Sequence, residues 1–242
     1  MLTFATVAAA PSPEGQSVAQ SAPVVTKINP KDGLTYVWIP PGKFMMGCSP
    51  GDAACDEDEK PPREVTIAKG FWIGQTLVTQ GAYQRVTGEN PSFFHGSDQL
   101  PVEQVNLMDA HEYCSKVGMR IPNEAEWEYA ARANNPASRY ADDLDAIAWY
   151  KDNSYAHTHE VASKKPNAWQ LYDMLGNLWQ WMSDPFKPGE PVSVVQRGGS
   201  WKNRASSIRV SNRGIDSGGT ERSYAGFRCA GDTDAPENKN PQ

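Results

Sequence analysis

No stretch of this 242-residue chain strings together the roughly 20 apolar residues that a bilayer-spanning helix needs, so no membrane span is expected. It carries no P-loop, HExxH helix, GxSxG elbow or dinucleotide-binding glycine fingerprint, which removes the commonest nucleotide, zinc-protease and serine-hydrolase readings. Histidine is scarce, at four. His157 and His159 in AHTHE, with Glu160 beside them, could be metal ligands, but in a polar loop they read as solvated; His95 and His111 show no partner pattern. Cysteine is equally scarce. Cys48, Cys55, Cys114 and Cys229 include no CxxC and no neighbouring histidine that would complete a four-ligand zinc set. Positive charge is in deficit: the net charge of -6 argues against nonspecific nucleic-acid binding.

What the chain does contain is turn-forming and aromatic residues. With 39% hydrophobic residues, 20 Gly and 19 Pro, it reads as one globular domain with modest helix content and much ordered loop. Eight Trp and nine Tyr supply large buried surfaces with polar tips that need partners. Cys48 and Cys55 flank a Gly/Pro loop, CSPGDAAC, as disulfide cysteines of an oxidising, extracytoplasmic (periplasmic or secreted) compartment would. MLTFATVAAAPSP is a short apolar run ending in small residues without a basic start. Residues 1–34 are accordingly read as a signal remnant and flexible tether, 35–232 as the domain, and 233–242 as a disordered tail.

Regular elements are few. TYVWIPPGKFMMGC alternates across a Pro-Pro-Gly turn and predicts a hairpin beginning near Thr35, and Glu64 to Gly74 predicts a second strand pair. Helical periodicity covers Met108 to Val117 and Glu124 to Arg132, the latter introduced by Asn123 as N-cap with Glu126 at the capping-box position. Residues 134–163 show no pattern, and a further strand is expected at Val194 to Gly198. The acidic run Asp56 to Glu59 reads as a solvated loop. Residues 197–228 carry seven basic side chains (Arg197, Lys202, Arg204, Arg209, Arg213, Arg222, Arg228) against Asp216 and Glu221. Two readings stand: a cationic rim that steers an anionic ligand or peptide, or arginines paired with acids inside the domain. The fold class is α+β.

Several ordered blocks carry more than composition does: MMGCSPGD, RIPNEAEWEYAAR, KKPNAWQLYDMLGNLWQW, RGGSW and GFRCA. In this order they resemble the formylglycine-generating enzyme family, the sulfatase-modifying factors. The resemblance implies that family's variant of the C-type-lectin fold, with low regular secondary-structure content. It implies a disulfide between Cys114 and Cys229, while Ala131 and Val210 stand where the family's second disulfide would be. It implies Ca²⁺ in the YDMLGNLWQW block, through Asp173, Gly176, Leu178 and Gln180, against the alternative of a bare Gly-Asn turn; Asn153 lies near a second expected site. The family holds copper between two thiolates just after the GGS-aromatic turn. Here Lys202, Asn203, Arg204, Ala205, Ser206 and Ser207 stand there instead, so copper is not expected.

The expected function is therefore a formylglycine-generating-enzyme-like domain without copper thiolates, acting as an atypical oxidoreductase of the family or a catalytically silent partner. The alternative is a C-type-lectin-like ligand-display protein with a variable segment, 201–225, of the diversity-generating-retroelement kind; an authentic formylglycine-generating oxidase is disfavoured. A peptide, protein or small-molecule ligand would occupy a groove along 200–225 lined by Trp179, Trp201, Asn203, Arg204, Ser206, Arg209 and Arg213.

Overall fold

A computed structural model describes residues 24–187, 189 and 193–232; the expectations for residues 1–23 and 233–242 lie outside it. The fold begins ahead of Thr35. A short strand β1 (Thr26–Ile28) pairs antiparallel with β2 (Thr35–Ile39), so residues read as tether form a sheet edge.

The predicted hairpin and strand pair are instead two arms of one bent ribbon. β2 and β3 (Gly42–Met46) do not pair with each other, nor do β4 (Arg63–Ile67) and β5 (Phe71–Gly74). β2 lies against β5, with Ile39 opposite Phe71, and β3 lies against β4, with Gly42 opposite Ile67. Pro40 and Pro41 cannot donate to a ladder, so the first arm breaks there and the ribbon passes from one sheet to another. Opposite the break, Gly70 lies so close to Trp38 that a Cβ would stand 2.4 Å from its ring.

Three helices with side-chain caps follow. α1 (Gln80–Thr87) was not foreseen; Thr79 accepts from the Ala82 amide and Gly88, at φ +89°, ends it. α2 (Leu107–Lys116) and α3 (Glu124–Arg132) match the periodicity to within a residue, and Asn123 and Glu126 form the expected capping box. After the single-turn α4 (Leu144–Ile147), a sheet forms from β6 (Trp179–Pro185), β7 (Val194–Arg197), β8 (Arg213–Asp216) and the two-residue β9 (Ala225–Gly226), in the order β8-β7-β6-β9. The last strand, β10 (Ala230–Gly231), returns to β5 and completes the sheet β1-β2-β5-β10. Mixed helix and sheet with long ordered connections is the α+β arrangement expected.

Strand alternation divides the interior in two. Val37, Ile39, Phe71 and Ile73 join Trp127, Met174 and Met182 in one cluster, while Tyr36 and Trp72 join Tyr113, Trp181 and Phe227 in the other. Ala131 and Val210 are both buried in the first cluster, so apolar packing stands where a second cross-link would be. Both disulfides form as expected, Cys48–Cys55 and Cys114–Cys229. The second ties α2 to the chain between β9 and β10 across 115 residues, a closure worth about 4 to 5 kcal/mol on a chain-entropy basis.

Charge is buried along with the hydrophobes. Glu128, on the inner face of α3, is fully buried; one carboxylate oxygen accepts from the Gly47 amide at 2.8 Å and Arg132 Nε at 2.9 Å, the other from Arg197 Nη2 at 2.9 Å. Glu128→Ala would leave two guanidinium groups without their shared acceptor and should destabilise the protein by about 3 to 5 kcal/mol in chemical unfolding. Breaking the exposed Lys116–Glu112 pair on α2 with Lys116→Ala should leave the midpoint unchanged within error. Equal midpoint shifts for the two variants would refute this ranking.

Candidate functional site

The GGSW turn places the loop on which function was expected to rest. Gly198 has φ +96°, and a Cβ there would stand 2.6 Å from the Met174 carbonyl, so only glycine lets the two backbones approach. Beyond the turn, the main chain is fastened by groups from elsewhere. The Trp201 amide donates to the Asn177 carbonyl, the Lys151 amide to that of Asn203, and Arg139 to those of Ala205 and Ile208. Lys202, Arg204 and Ser206 are exposed between these fastenings.

The predicted groove residues do not line one groove. Trp201 is half-buried, donates its indole N–H to Ser223, and meets the Phe94 ring edge-on at 5.6 Å. Asn203 uses its side-chain oxygen to hold the Ser200 amide and hydroxyl, which shapes the turn. Trp179 is a correction: only 7% exposed, it packs in the second core cluster with its ring over Gly214. Arg209 is another. It is 2% exposed and forms a bidentate pair with Glu59 at 2.6 and 2.7 Å, with Asp52 at 3.2 Å. Arg213 binds Glu124 bidentately, lies 4.5 Å over Phe186, and lines a separate cavity of about 600 Å³ with Asp58, Arg63, Asp184 and Arg197. Arg197, Arg209 and Arg213 therefore follow the paired reading, while Arg204 is exposed and Arg228 is held by carbonyls; Glu59, expected in a solvated loop, is buried because it answers Arg209.

Beside Trp201, a cleft of about 490 Å³ is lined by Phe94, His95, His157, Thr158, His159 and Glu160, among others. His159 stacks on Trp149 at 3.7 Å and tilts against His157 at 4.3 Å. Backbone carbonyls settle the tautomers, because they only accept. His157 holds its proton at Nδ1, facing Thr158 at 2.7 Å, and His159 at Nε2, facing Ser154 at 2.8 Å. That leaves His157 Nε2 and His159 Nδ1 as acceptors. Burial holds the His159 pKa below the usual imidazole value, so its acceptor persists at neutral pH. The Thr158 hydroxyl, buried in the cleft wall, has no hydrogen-bond partner among the described residues.

Beneath the Phe94 loop lies Glu103, a fully buried carboxyl absent from the sequence-based candidates. One oxygen accepts from the Phe94 amide at 2.8 Å; the other has no partner among the described residues. Burial pushes its pKa up to about 7. The signal that could have found it is a lone acid set between the valines of PVEQV.

Two of the inferred calcium ligands, Asp173 and Gln180, are engaged by a different cation, Arg228. Gln180 presents its amide oxygen to two groups that can only donate, Trp127 Nε1 at 2.8 Å and Arg228 Nε at 2.7 Å, which fixes the amide's orientation and occupies both lone pairs. Asp173 accepts from the Ala162 amide at 2.8 Å, and Arg228 also donates to the Asp173 carbonyl. Gly176 donates its amide to Gly198, and Leu178 is a core side chain. With the Gln180 oxygen taken by two donors and both Asp173 carboxylate oxygens engaged, by the Ala162 amide and the Asn177 side chain, the side-chain half of the set does not fit a calcium cage, and no role is derived through one. Asn153 likewise uses its side chain on Tyr150, Asp145 and Ala148.

The sulfatase-modifying factor enzyme 1-like domain matches residues 22–233, which is most of the chain. The chain belongs to this family. Its formylglycine-generating enzyme from Streptomyces coelicolor is 27% identical, over 93% of this chain and 96% of that protein. The Mus musculus enzyme is 31% identical, but the alignment covers 70% of this chain and only 53% of the mouse protein. Among solved structures of the same fold, PvdO from Pseudomonas aeruginosa superposes with TM-score 0.80 and Treponema denticola variable protein 1 with 0.74, each at 26% identity over 88% of this chain and all of theirs. Within the sulfatase-modifying-factor frame, the loop after the Gly-Gly turn offers ammonium, amide, guanidinium and hydroxyl groups, and all four cysteines are paired.

Glu103 generates a pH prediction. A carboxyl whose folded pKa lies near 7, above the unfolded value of about 4.3, binds its proton more tightly when folded, so its contribution to stability falls as pH rises through that window. Thermal unfolding from pH 4.5 to 7.5 should show this decline in the wild type, and Glu103→Gln should flatten it. An unchanged slope in the variant would refute the assignment.

Proposed function

We propose that this is a catalytically silent, extracytoplasmic member of the sulfatase-modifying-factor family that binds a ligand in the cleft beside Trp201. The observation that supports this reading is the pairing of every cysteine in the chain, with no soft donor in the loop Lys202 to Ser207. A two-coordinate Cu(I) centre needs two thiolates, and hydroxyls do not replace them. The cleft has what a binding site requires: an aromatic wall at Phe94, backed edge-on by Trp201, and two imidazole acceptors of fixed tautomer. A peptide, a protein loop or a small molecule that donates hydrogen bonds is the complementary chemistry. An atypical oxidoreductase role finds no thiol support in this loop.

Ligand display is a second reading, favoured by one arrangement. Lys202, Arg204, Ser206 and Ile215 are exposed on a main chain fastened from elsewhere, and the Treponema relative of like fold is itself called a variable protein. Both readings assign binding, not oxidation: the first in the cleft beside Trp201, the second on the segment 201–225.

Purified protein should hold no stoichiometric copper by metal analysis and should not convert the cysteine of a sulfatase-type peptide to an aldehyde. A mass loss on that peptide cysteine dependent on this protein and on oxygen would overturn the proposal.

A further inference from the structure

The two disulfides stand in opposite environments. Cys114 and Cys229 are 0% and 1% exposed inside the second core cluster, whereas Cys48 and Cys55 are half-buried at the surface. The two sulfurs of the surface bridge also differ from each other. Cys48 lines an open cleft of about 210 Å³ with Phe44, Met45, Pro50 and Pro136, and Met45 there is 53% exposed. Cys55 faces the other way, toward Arg209, whose Nη1 lies 3.9 Å from its Sγ.

The backbone around the two cysteines is held unequally. Next to Cys48, the Gly47 amide donates to Glu128, the Gly47 carbonyl accepts from Arg132 Nη2 at 2.6 Å, and the Ser49 hydroxyl accepts from Arg132 Nη1. These bonds do not pass through the bridge. Around Cys55, residues Ala53, Ala54 and Asp56 are exposed, and the flanking amides are held only by nearby carboxylates of the same segment, Ala54 by Asp52 and Asp56 by Glu59. Opening the bridge would therefore leave Cys48 in place against α3 and let Cys55 relax against the guanidinium.

We propose that Cys48–Cys55 is a thiol–disulfide exchange site for a dithiol reductant, with Cys48 the attacked sulfur and Cys55 the leaving one. The reductant's thiolate enters the apolar cleft and bonds to Cys48 Sγ. The Cys48–Cys55 bond breaks, and its electron pair leaves on Cys55 as a thiolate that Arg209 stabilises. The second thiol of the reductant then attacks its own sulfur in the mixed disulfide, releasing Cys48 as a thiolate that takes up a proton. Two electrons pass to the protein and the reductant becomes a disulfide. Arg209 also answers Glu59 and Asp52, and Asp56 adjoins Cys55, so what favours the leaving sulfur is the guanidinium N–H aimed at it. A donor there lowers its thiol pKa and speeds departure, which gives the exchange a direction. The other bridge lies inside the second core cluster, shut off from a reductant while the fold holds.

Folded protein exposed to glutathione and quenched with excess N-ethylmaleimide should carry glutathione on Cys48 and maleimide on Cys55, in at least about tenfold excess over the reverse pattern, with Cys114–Cys229 intact and near-ultraviolet dichroism native. Glutathione mainly on Cys55, or opening of both bridges together as the fold is lost, would overturn the proposal. In the reduced protein, alkylation of Cys55 against pH should give a midpoint below the usual thiol value of about 8.5, and a midpoint at or above it would count equally against the proposal. Arg209→Gln should slow opening about tenfold and Arg209→Lys should preserve it; faster opening in a folded glutamine variant would mean that Arg209 only holds the loop. Should the glutamine variant not fold, adduct position and thiol titration in the wild type decide the matter.

Discussion

Arg228 is the cation around which the two halves of the interior are joined. Its guanidinium, fully buried, donates to the carbonyls of Gly74, Gln75, Tyr172 and Asp173 and to the side-chain oxygen of Gln180. Those acceptors come from the end of β5, from the loop before β6, and from β6 itself, so one side chain ties the first sheet to the second. Burial lowers its pKa to about 10, still well above neutrality, so the charge persists and must be answered. It is answered by five dipoles, with no carboxylate among its hydrogen bonds. Cys229 follows it immediately, and the bridge to Cys114 fastens the same point to α2.

Loop-rich folds leave many backbone groups that no helix or ladder satisfies, and here arginine does that work repeatedly. Arg139 holds Ala205 and Ile208, Arg132 holds Gly47, and Arg197 holds Val210. Where arginines meet acids, they meet them indoors: Arg197 with Glu124 and Glu128, Arg209 with Glu59 and Asp52. Much of the basic excess of residues 197–228 is thus answered inside the domain by acids far away in sequence, leaving Lys202 and Arg204 as its exposed members. The cleft beside Trp201 owes its character to aromatic rings, imidazoles and a hydroxyl.

Much of this was legible in the sequence. The caps of α3 are local chemistry, since Asn123 and Glu126 satisfy amides three residues away, and local rules recover them. The strand at Val194 and the Cys48–Cys55 bridge are local too. Pairing partners are not. Nothing within TYVWIPPGKFMM says that its two halves will seek Phe71 and Ile67 in place of each other, because that choice belongs to the second arm of the ribbon. Burial of charge was equally hidden. Arg209 looks like a surface arginine until Glu59, 150 residues upstream, is placed against it. Glu103 and Thr158 escaped notice for the opposite reason: what marks them is a missing partner, visible only once all neighbours are in position.

The loop after the Gly-Gly turn is fastened through its own carbonyls and amides to Asn177, Lys151, Arg139, Arg209 and Asn212. Those anchors do not read the identity of the residues between them. Lys202, Arg204 and Ser206 can therefore be exchanged with little penalty to the fold, and the surface they present can drift while its scaffold stays still. Such a loop separates the part of a protein that selection must conserve from the part it can afford to explore.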